Sequence, residues 1–105
     1  MKRGDIWWAN LPEPAGRHPV VLISRDRAIQ VREAVTVAQV TSTIRNIPVE
    51  VKLGAAEGMP RDCVVNCDVL LTIPKPFLTS FATSLSDEKI AALDRALRFA
   101  LALQE

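Results

Sequence analysis

The stretch GRHPVVLIS, residues 16–24, is the segment from which the fold can be worked out. Its consecutive apolar residues, Val20 to Ile23, predict a central β-strand that is buried on both faces. Pro19 fits such a strand only at its first position, because proline has no N–H to donate to a ladder. Two basic side chains, Arg17 and His18, stand directly before it. They form either a surface loop or part of a functional site.

Short β-type segments separated by turn signals surround this strand. LPEPAG is a turn-rich loop before it, and residues 26–33 are polar and predict a short helical turn after it. Further strands are predicted at GDIWWAN before the central strand and at VTVAQV, VEVKL, CVVNCDVLL and FATSL after it. The pattern favours a mostly antiparallel sheet or a small barrel.

A helix is predicted after Leu85. Ser86 is a good N-cap, and Asp87 and Glu88 in the first turn favour the positive end of the helix dipole. Asp94 and Arg98 have the spacing of an i,i+4 ion pair. Apolar residues recur at helical spacing, which predicts a buried stripe formed by Ile90, Leu93, Leu97 and Leu101.

The bulk properties indicate one globular domain, residues 1–105. Apolar residues make up 49% of the chain, and the formal net charge is +1. Residues 1–45 are net positive and the remainder is net negative, so the first part can attract a polyanion or pair with the second. No apolar run approaches membrane-spanning length, and Asp5 interrupts the N-terminus where a signal peptide needs an apolar core. We therefore expect a cytoplasmic protein with no membrane association.

Cys63 and Cys67 are predicted to be buried free thiols. On a strand they would share a face about 13 Å apart, which is too far for a disulfide. Two cysteines and one histidine, His18, make a poor set of metal ligands, so we expect no metal and no cofactor.

Polar residues cluster where the predicted strands begin or end, which is where sites are usually built. Each also has a structural interpretation: serine and threonine as turn residues, arginine as a solvated side chain, histidine as a surface residue and Asn66 as a bulge residue. From the residues alone, the chain is a small α+β domain with a candidate polar site. Its members are Arg17, His18, Thr41, Ser42, Thr43, Arg45, Asn66 and Asp68.

Over nearly its whole length, the chain resembles the MazF/PemK family of toxin endoribonucleases. The resemblance lies in an ordered set of segments, none of which is specific alone: KRGDIWWANL, RHPVVLISRD, VTVAQVTST, PVEVKL, GMPRDCVVNCDVLLTIPK and the helix after SLSDEKI. It implies an α+β, mostly β fold, a small SH3-like antiparallel barrel of the CcdB/MazF type with a C-terminal helix. It also implies a homodimer, a cognate antitoxin partner and contact with DNA only through that antitoxin.

The activity implied by the resemblance is sequence-specific, metal-independent cleavage of single-stranded RNA. The 2′-hydroxyl attacks the adjacent phosphate and leaves 2′,3′-cyclic phosphate and 5′-hydroxyl ends. The family carries a threonine at the end of strand three, which Thr41 matches, and an arginine directly before the strand-two proline. Here that position holds His18, and Arg17 lies one residue earlier. Either Arg17 turns inward to clamp the phosphate, with His18 assisting, or His18 takes over as acid or base.

The residues expected to contact RNA are Ser42, Thr43 and Arg45, together with Asn66 and Asp68. Relatives often carry a polar residue after the aspartate, where this chain has Val69. Two other functions stay open at this point. One is a gyrase-poisoning toxin of the CcdB type, which uses aromatic C-terminal residues to bind its target. This chain ends in FALALQE and has no terminal tryptophan, which argues against that function. The other is a binding module without catalytic activity.

Overall fold

The central strand predicted from residues 16–24 is present in the computed structural model, which describes residues 1–104. Within these residues the chain forms six strands and two helices, with short 3-10 turns at Ala55–Glu57 and Lys75–Phe77. In chain order, the elements are β1 (Asp5–Asn10), β2 (Arg17–Leu22), α1 (Asp26–Val31), β3 (Ala34–Thr41), β4 (Glu50–Leu53), β5 (Cys63–Pro74), β6 (Leu78–Ser84) and α2 (Asp87–Ala100).

The strands form one curled sheet in the order β4-β5-β3-β2-β1-β6, and every pair is antiparallel. The sheet curls into a half-barrel, and α2 packs on one of its faces through contacts with β4 and β5. This arrangement confirms the predicted fold class. Within residues 1–104, no helix is both long enough and apolar enough to cross a membrane.

Apolar side chains are buried on both faces of the sheet, as the continuous run of β2 predicts. Val21 belongs to the cluster beneath α2, together with Leu93 and Leu97 of that helix. Val20 and Leu22 belong to the cluster on the opposite face, which also contains Ile29 of α1. Alternation along β2 therefore supplies both layers of the core.

The start of β2 differs from the prediction. The strand begins at Arg17 rather than at Pro19, because residues 17–21 all pair with β1. The pairing with β3 begins only at Val20. Pro19, which has no N–H to donate, therefore lies in a part of β2 where the ladder with β3 is absent.

Helix α2 begins as predicted, with the Ser86 side chain accepting a hydrogen bond from the Lys89 backbone N–H at 3.2 Å. The prediction that Leu101 extends the buried stripe is wrong. The helix ends at Ala100, Leu101 is its C-cap and is 52% exposed, and Ala102 turns the chain away with φ 57°. Asp94 forms an ion pair of 2.8 Å with Arg3, which ties the N-terminal segment to the helix.

Candidate active site

A cleft of about 350 Å³ opens at the end of the sheet where β2 and β3 separate. Because the sheet is antiparallel throughout, the starts of β2 and β5 and the ends of β3 and β4 meet at this end. The cleft brings together three of the predicted site residues, His18, Thr41 and Ser42. Its other lining residues are Trp8, Pro19, Val40, Gly58, Met59, Pro60, Arg61, Cys63 and Ala82.

His18 is half-buried in this cleft, and its ring bridges the gap between the two strands. Its Nε2 is hydrogen-bonded to the backbone carbonyl of Val40 on β3. A carbonyl oxygen can only accept, so Nε2 carries the hydrogen. In the neutral ring this leaves Nδ1 with a free lone pair, and the Val40 carbonyl fixes both the tautomer and the orientation of the ring.

Thr41 is the last residue of β3 and is also half-buried. Its Oγ1 accepts a hydrogen bond from the Thr43 backbone N–H at 3.2 Å, which orients the side chain at the turn. The hydroxyl hydrogen is not used in this contact. Thr41 therefore retains a donor for a ligand in the cleft, and Ser42 beside it is exposed in the same lining.

Arg17 lies outside the cleft lining but against its wall. Its guanidinium carbon is 4.2 Å from the ring centroid of Trp8, in a cation–π arrangement. Arg17 and Pro19 lie on the same face of β2, and Pro19 pairs with Trp8 across the β1–β2 ladder. The structure places His18 in the lining of the cleft and the exposed Arg17 at its rim, stacked on the lining residue Trp8.

Arg61 is a cleft residue that the sequence analysis missed. It lies in the loop between β4 and β5, is exposed, and has no hydrogen-bond or ion-pair partner within residues 1–104. No local signal marked it: the β4–β5 loop lies at the same end as Thr41 only because β3 and β4 both pair antiparallel with β5. The cleft therefore has a second nearby cation besides Arg17.

Thr43 and Arg45 lie in the exposed loop after Thr41 and do not line the cleft. The Glu50 carboxylate holds this loop by accepting the backbone N–H groups of Arg45, at 3.0 and 3.2 Å, and of Asn46, at 2.9 Å. The side chain of Arg45 extends from a fixed backbone. Its contact with RNA stays a prediction.

Asn66 and Asp68 lie away from the cleft, at an irregularity in β5. Asn66 pairs with Gln39, and Leu70 pairs with Ala38, the residue next to Gln39 on β3. The three residues of β5 between Asn66 and Leu70 therefore have no partner on β3 and form a bulge. The Asn66 Oδ1 accepts the Asp68 backbone N–H at 2.9 Å, which satisfies part of the interrupted ladder. Asn66 thus has the structural role of a bulge residue, and a role of either residue in RNA recognition stays a prediction.

Cys63 contributes an uncharged thiol to the cleft. Burial, followed by the negative charges of Glu57 and Asp62, raises the pKa of this thiol, so it is held protonated at neutral pH. Burial also raises the pKa of Cys67 to about 11, and both cysteines are free, as predicted. In the described part of the chain, no group of three or more His, Cys, Asp or Glu side chains is arranged to hold a metal ion.

Comparison with known proteins gives consistent results. Residues 2–101 match the family described as PemK-like, MazF-like toxin of type II toxin–antitoxin system. Two proteins of Mycobacterium tuberculosis, named probable endoribonuclease MazF2 and MazF5, are 35% and 36% identical to the chain over 99 and 100 residues. These alignments cover 93% and 94% of the chain and 95% and 91% of the relatives.

Solved structures show the same fold. Mycobacterium tuberculosis toxin MazF-mt6 superposes with a TM-score of 0.89 at 31% identity, covering 96% of this chain and 99% of that one. An endoribonuclease from a mycobacterial species, solved in complex with its cognate antitoxin, has a TM-score of 0.88 at 23% identity and shares the fold over 100% of this chain and 98% of its own.

Fold and comparisons together define a small toxin whose half-barrel carries a polar cleft at one end of its sheet. More particularly, the chain belongs to the PemK-like, MazF-like family of type II toxin–antitoxin systems, and it is an endoribonuclease of the MazF type. This identification confirms the expected family and sets it in the nuclease class rather than among the gyrase-poisoning toxins.

Proposed function

We propose that the cleft between β2 and β3 cleaves single-stranded RNA at specific sequences by attack of the 2′-hydroxyl on the adjacent phosphate. The products would be 2′,3′-cyclic phosphate and 5′-hydroxyl ends. The observation that carries this proposal is the meeting of His18 and Thr41 in one cleft, although they lie on different strands. Such a reaction needs a proton acceptor, a proton donor and stabilisation of charge on the phosphorane.

His18 is suited to proton transfer. Its Nε2–H is committed to the Val40 carbonyl, so Nδ1 is the atom that accepts a proton from the 2′-hydroxyl or returns one to the leaving oxygen. The carbonyl orients the ring much as a third group orients the base in other nucleophile–base pairs. Thr41 donates its hydroxyl hydrogen to a non-bridging phosphate oxygen and holds the phosphate in line.

Arg17 is proposed to bind phosphate from the rim. A guanidinium that is stacked on Trp8 is held in place and keeps its N–H groups available for a phosphate of the bound strand. This position suits a phosphate entering or leaving the cleft. The division of roles predicts that Arg17→Ala weakens RNA binding, whereas His18→Ala lowers the rate of cleavage at saturating RNA. Full activity of Arg17→Ala would exclude a role of Arg17 in binding the phosphate.

Metal independence follows from the proposed chemistry. The nucleophile is a hydroxyl group of the substrate itself, so no metal ion is required to generate hydroxide from water.

The test is to incubate purified protein with a mixed RNA in EDTA and to map the new 5′-hydroxyl ends. Discrete cuts support the proposal, and Thr41→Val, which removes the hydroxyl donor together with the acceptor for the Thr43 N–H, should reduce the rate about a hundredfold or more. Intact RNA at micromolar wild-type protein would refute it.

Membership in a type II toxin–antitoxin family supports a cognate antitoxin as a partner, with DNA reached only through that protein. A homodimer is also proposed, because large apolar side chains are exposed at Phe81 (53%), Phe99 (62%) and Leu103 (57%). Light scattering after size-exclusion chromatography should give the mass of two chains. The proposed compartment is the cytoplasm, where cellular RNA is translated.

A further inference from the structure

A second pocket lies directly beside the cleft, and we infer that it binds a guanine base of the RNA next to the cut. Its volume is about 280 Å³, below the usual range for drug-sized ligands. The pocket is lined by Ile44, Asn46, Lys52, Leu53, Asp62 and Cys63. This inference rests on the proposed function, because it assigns the pocket to the same bound RNA strand that is cleaved in the cleft.

The lining matches a nucleobase in the distribution of its chemistry. Ile44, Leu53 and Cys63 are apolar and suit the flat faces of a base ring. Asn46, Lys52 and Asp62 bring an amide, an ammonium and a carboxylate to the same pocket. Within residues 1–104, none of these three polar side-chain groups has a hydrogen-bond or ion-pair partner. They are therefore available to the polar edge of a ligand.

The combination of carboxylate and ammonium favours guanine over the other bases. Guanine alone presents two adjacent donors, N1–H and the 2-amino group, on its Watson–Crick edge, and these match the two oxygens of one carboxylate. Its O6 beside them is an acceptor, which suits the Lys52 ammonium or the Asn46 amide. Adenine and cytosine each offer only one donor group on that edge, and uracil offers one N–H between two acceptors.

Gly54 provides the space in which the Asp62 carboxylate stands. A Cβ added at residue 54 would lie 2.9 Å from the Asp62 Oδ1, closer than real Cβ contacts allow. The backbone N–H of Gly54 is taken by Glu57 at 2.7 Å, so this glycine does not bond Asp62. Gly54 thus neither donates a hydrogen bond to the Asp62 carboxylate nor places a side chain against it.

The pocket is continuous with the proposed cleavage site. Cys63 lines both the cleft and the pocket, and the loop that follows Thr41 runs from Ser42 at the cleft to Ile44 and Asn46 at the pocket. A strand whose phosphate lies at His18 and Thr41 can therefore place a neighbouring base against Asp62. We expect this base to lie within one or two nucleotides of the cut.

The first experiment compares the cut sites of wild-type protein, Asp62→Asn and Lys52→Gln on a long mixed RNA in EDTA. Glu88→Gln and Lys2→Gln are matched controls, since they remove the same charges from exposed positions outside both pockets. Wild type and controls should share guanine at one position near the cut. Asp62→Asn should lose that preference by about tenfold to a hundredfold, the usual effect of one bidentate base contact. Thermal unfolding of each variant verifies that it is folded.

The second experiment needs only the wild type and therefore does not depend on how any variant folds. An RNA oligonucleotide with inosine at the mapped position lacks the 2-amino group but keeps O6 and N1–H. Wild type should cleave it about tenfold more slowly than the guanosine form, and Asp62→Asn should cleave both equally.

Three outcomes would overturn the inference while leaving the proposed function intact: cleavage without a guanine preference, equal cleavage of inosine by wild type, or a preference unchanged in Asp62→Asn. An unchanged preference together with weaker binding of the antitoxin by that variant would assign the pocket to a protein partner. Failure of wild type to cut any RNA would refute the proposed function itself.

Discussion

Replacing Leu93 by alanine should remove about 3 kcal/mol of stability, whereas the same replacement at Leu101 should cost only about 1 kcal/mol. Leu93 is 0% exposed and packs in the cluster between α2 and the sheet. Alanine there removes three carbon atoms, worth about 2.4 kcal/mol by transfer, and the remaining cavity adds to this loss. Leu101 is 52% exposed at the C-cap, so about half of the transfer term applies and no enclosed cavity forms.

The assay is urea unfolding followed by circular dichroism, at one fixed protein concentration for both variants. For a domain of about this size, a loss of about 3 kcal/mol lowers the midpoint of thermal unfolding by roughly 10–20 °C. Such a loss is a large part of the total stability of a typical domain, so the measurement on Leu93→Ala is best made at low temperature. The slope against urea should be unchanged in both variants if only the folded state is affected.

Equal losses in the two variants would refute the argument that α2 ends its buried stripe at Leu97. A large loss for Leu101→Ala that shrinks as both proteins are diluted would have a different meaning. It would indicate that Leu101 is buried between two chains, because the stability of a dimer depends on protein concentration. The pair of variants therefore tests the packing of the helix and reports on the proposed dimer.

Three further predictions concern a cap, a thiol and a cation. Ser86→Ala removes the acceptor for the Lys89 N–H and should cost about 1 kcal/mol in urea unfolding; no change would mean that another group caps the helix. Cys67 has a pKa raised to about 11, so the folded state holds the proton more tightly than the unfolded state. Stability should therefore fall as the pH rises from about 9 to about 11, less steeply in Cys67→Ala, and parallel curves would contradict this. Arg45→Ala should weaken RNA binding and lower the salt dependence of the binding constant, and an unchanged slope would remove Arg45 from the interface.

Local patterns predicted most of the fold. The apolar run of β2, the strict alternation of β4 and the capped, amphipathic α2 each depend on neighbours within a few residues, and each is present in the structure. The residues at which these strands and helices end were less predictable. Leu101 continues the helical spacing, but the helix stops one residue earlier, because the chain turns at Ala102. Periodicity describes which face a residue would occupy, and it does not say whether anything packs on that face.

Features that depend on pairing between distant segments could not be predicted in the same way. The bulge at Asn66 arises because β3 and β5 pair on both sides of it in different registers, which no local pattern reveals. Arg61 enters the cleft because four strands bring their ends together, so its role depends on strand order. The predicted residues Thr43 and Arg45 follow Thr41 in sequence, yet the Glu50 carboxylate holds their loop outside the cleft.

The order of the two residues before Pro19 determines which of them lines the cleft. Side chains alternate along a strand, so Arg17 and His18 lie on opposite faces of the sheet. The pairing of Pro19 with Trp8 sets this register and sends Arg17 to the indole ring, while His18 reaches the Val40 carbonyl. An arginine at position 18 would instead bring a permanent charge to the phosphate. Under the proposed function, this order assigns proton transfer to His18 and leaves the binding of phosphate to Arg17 at the rim and to Arg61 in the lining of the cleft.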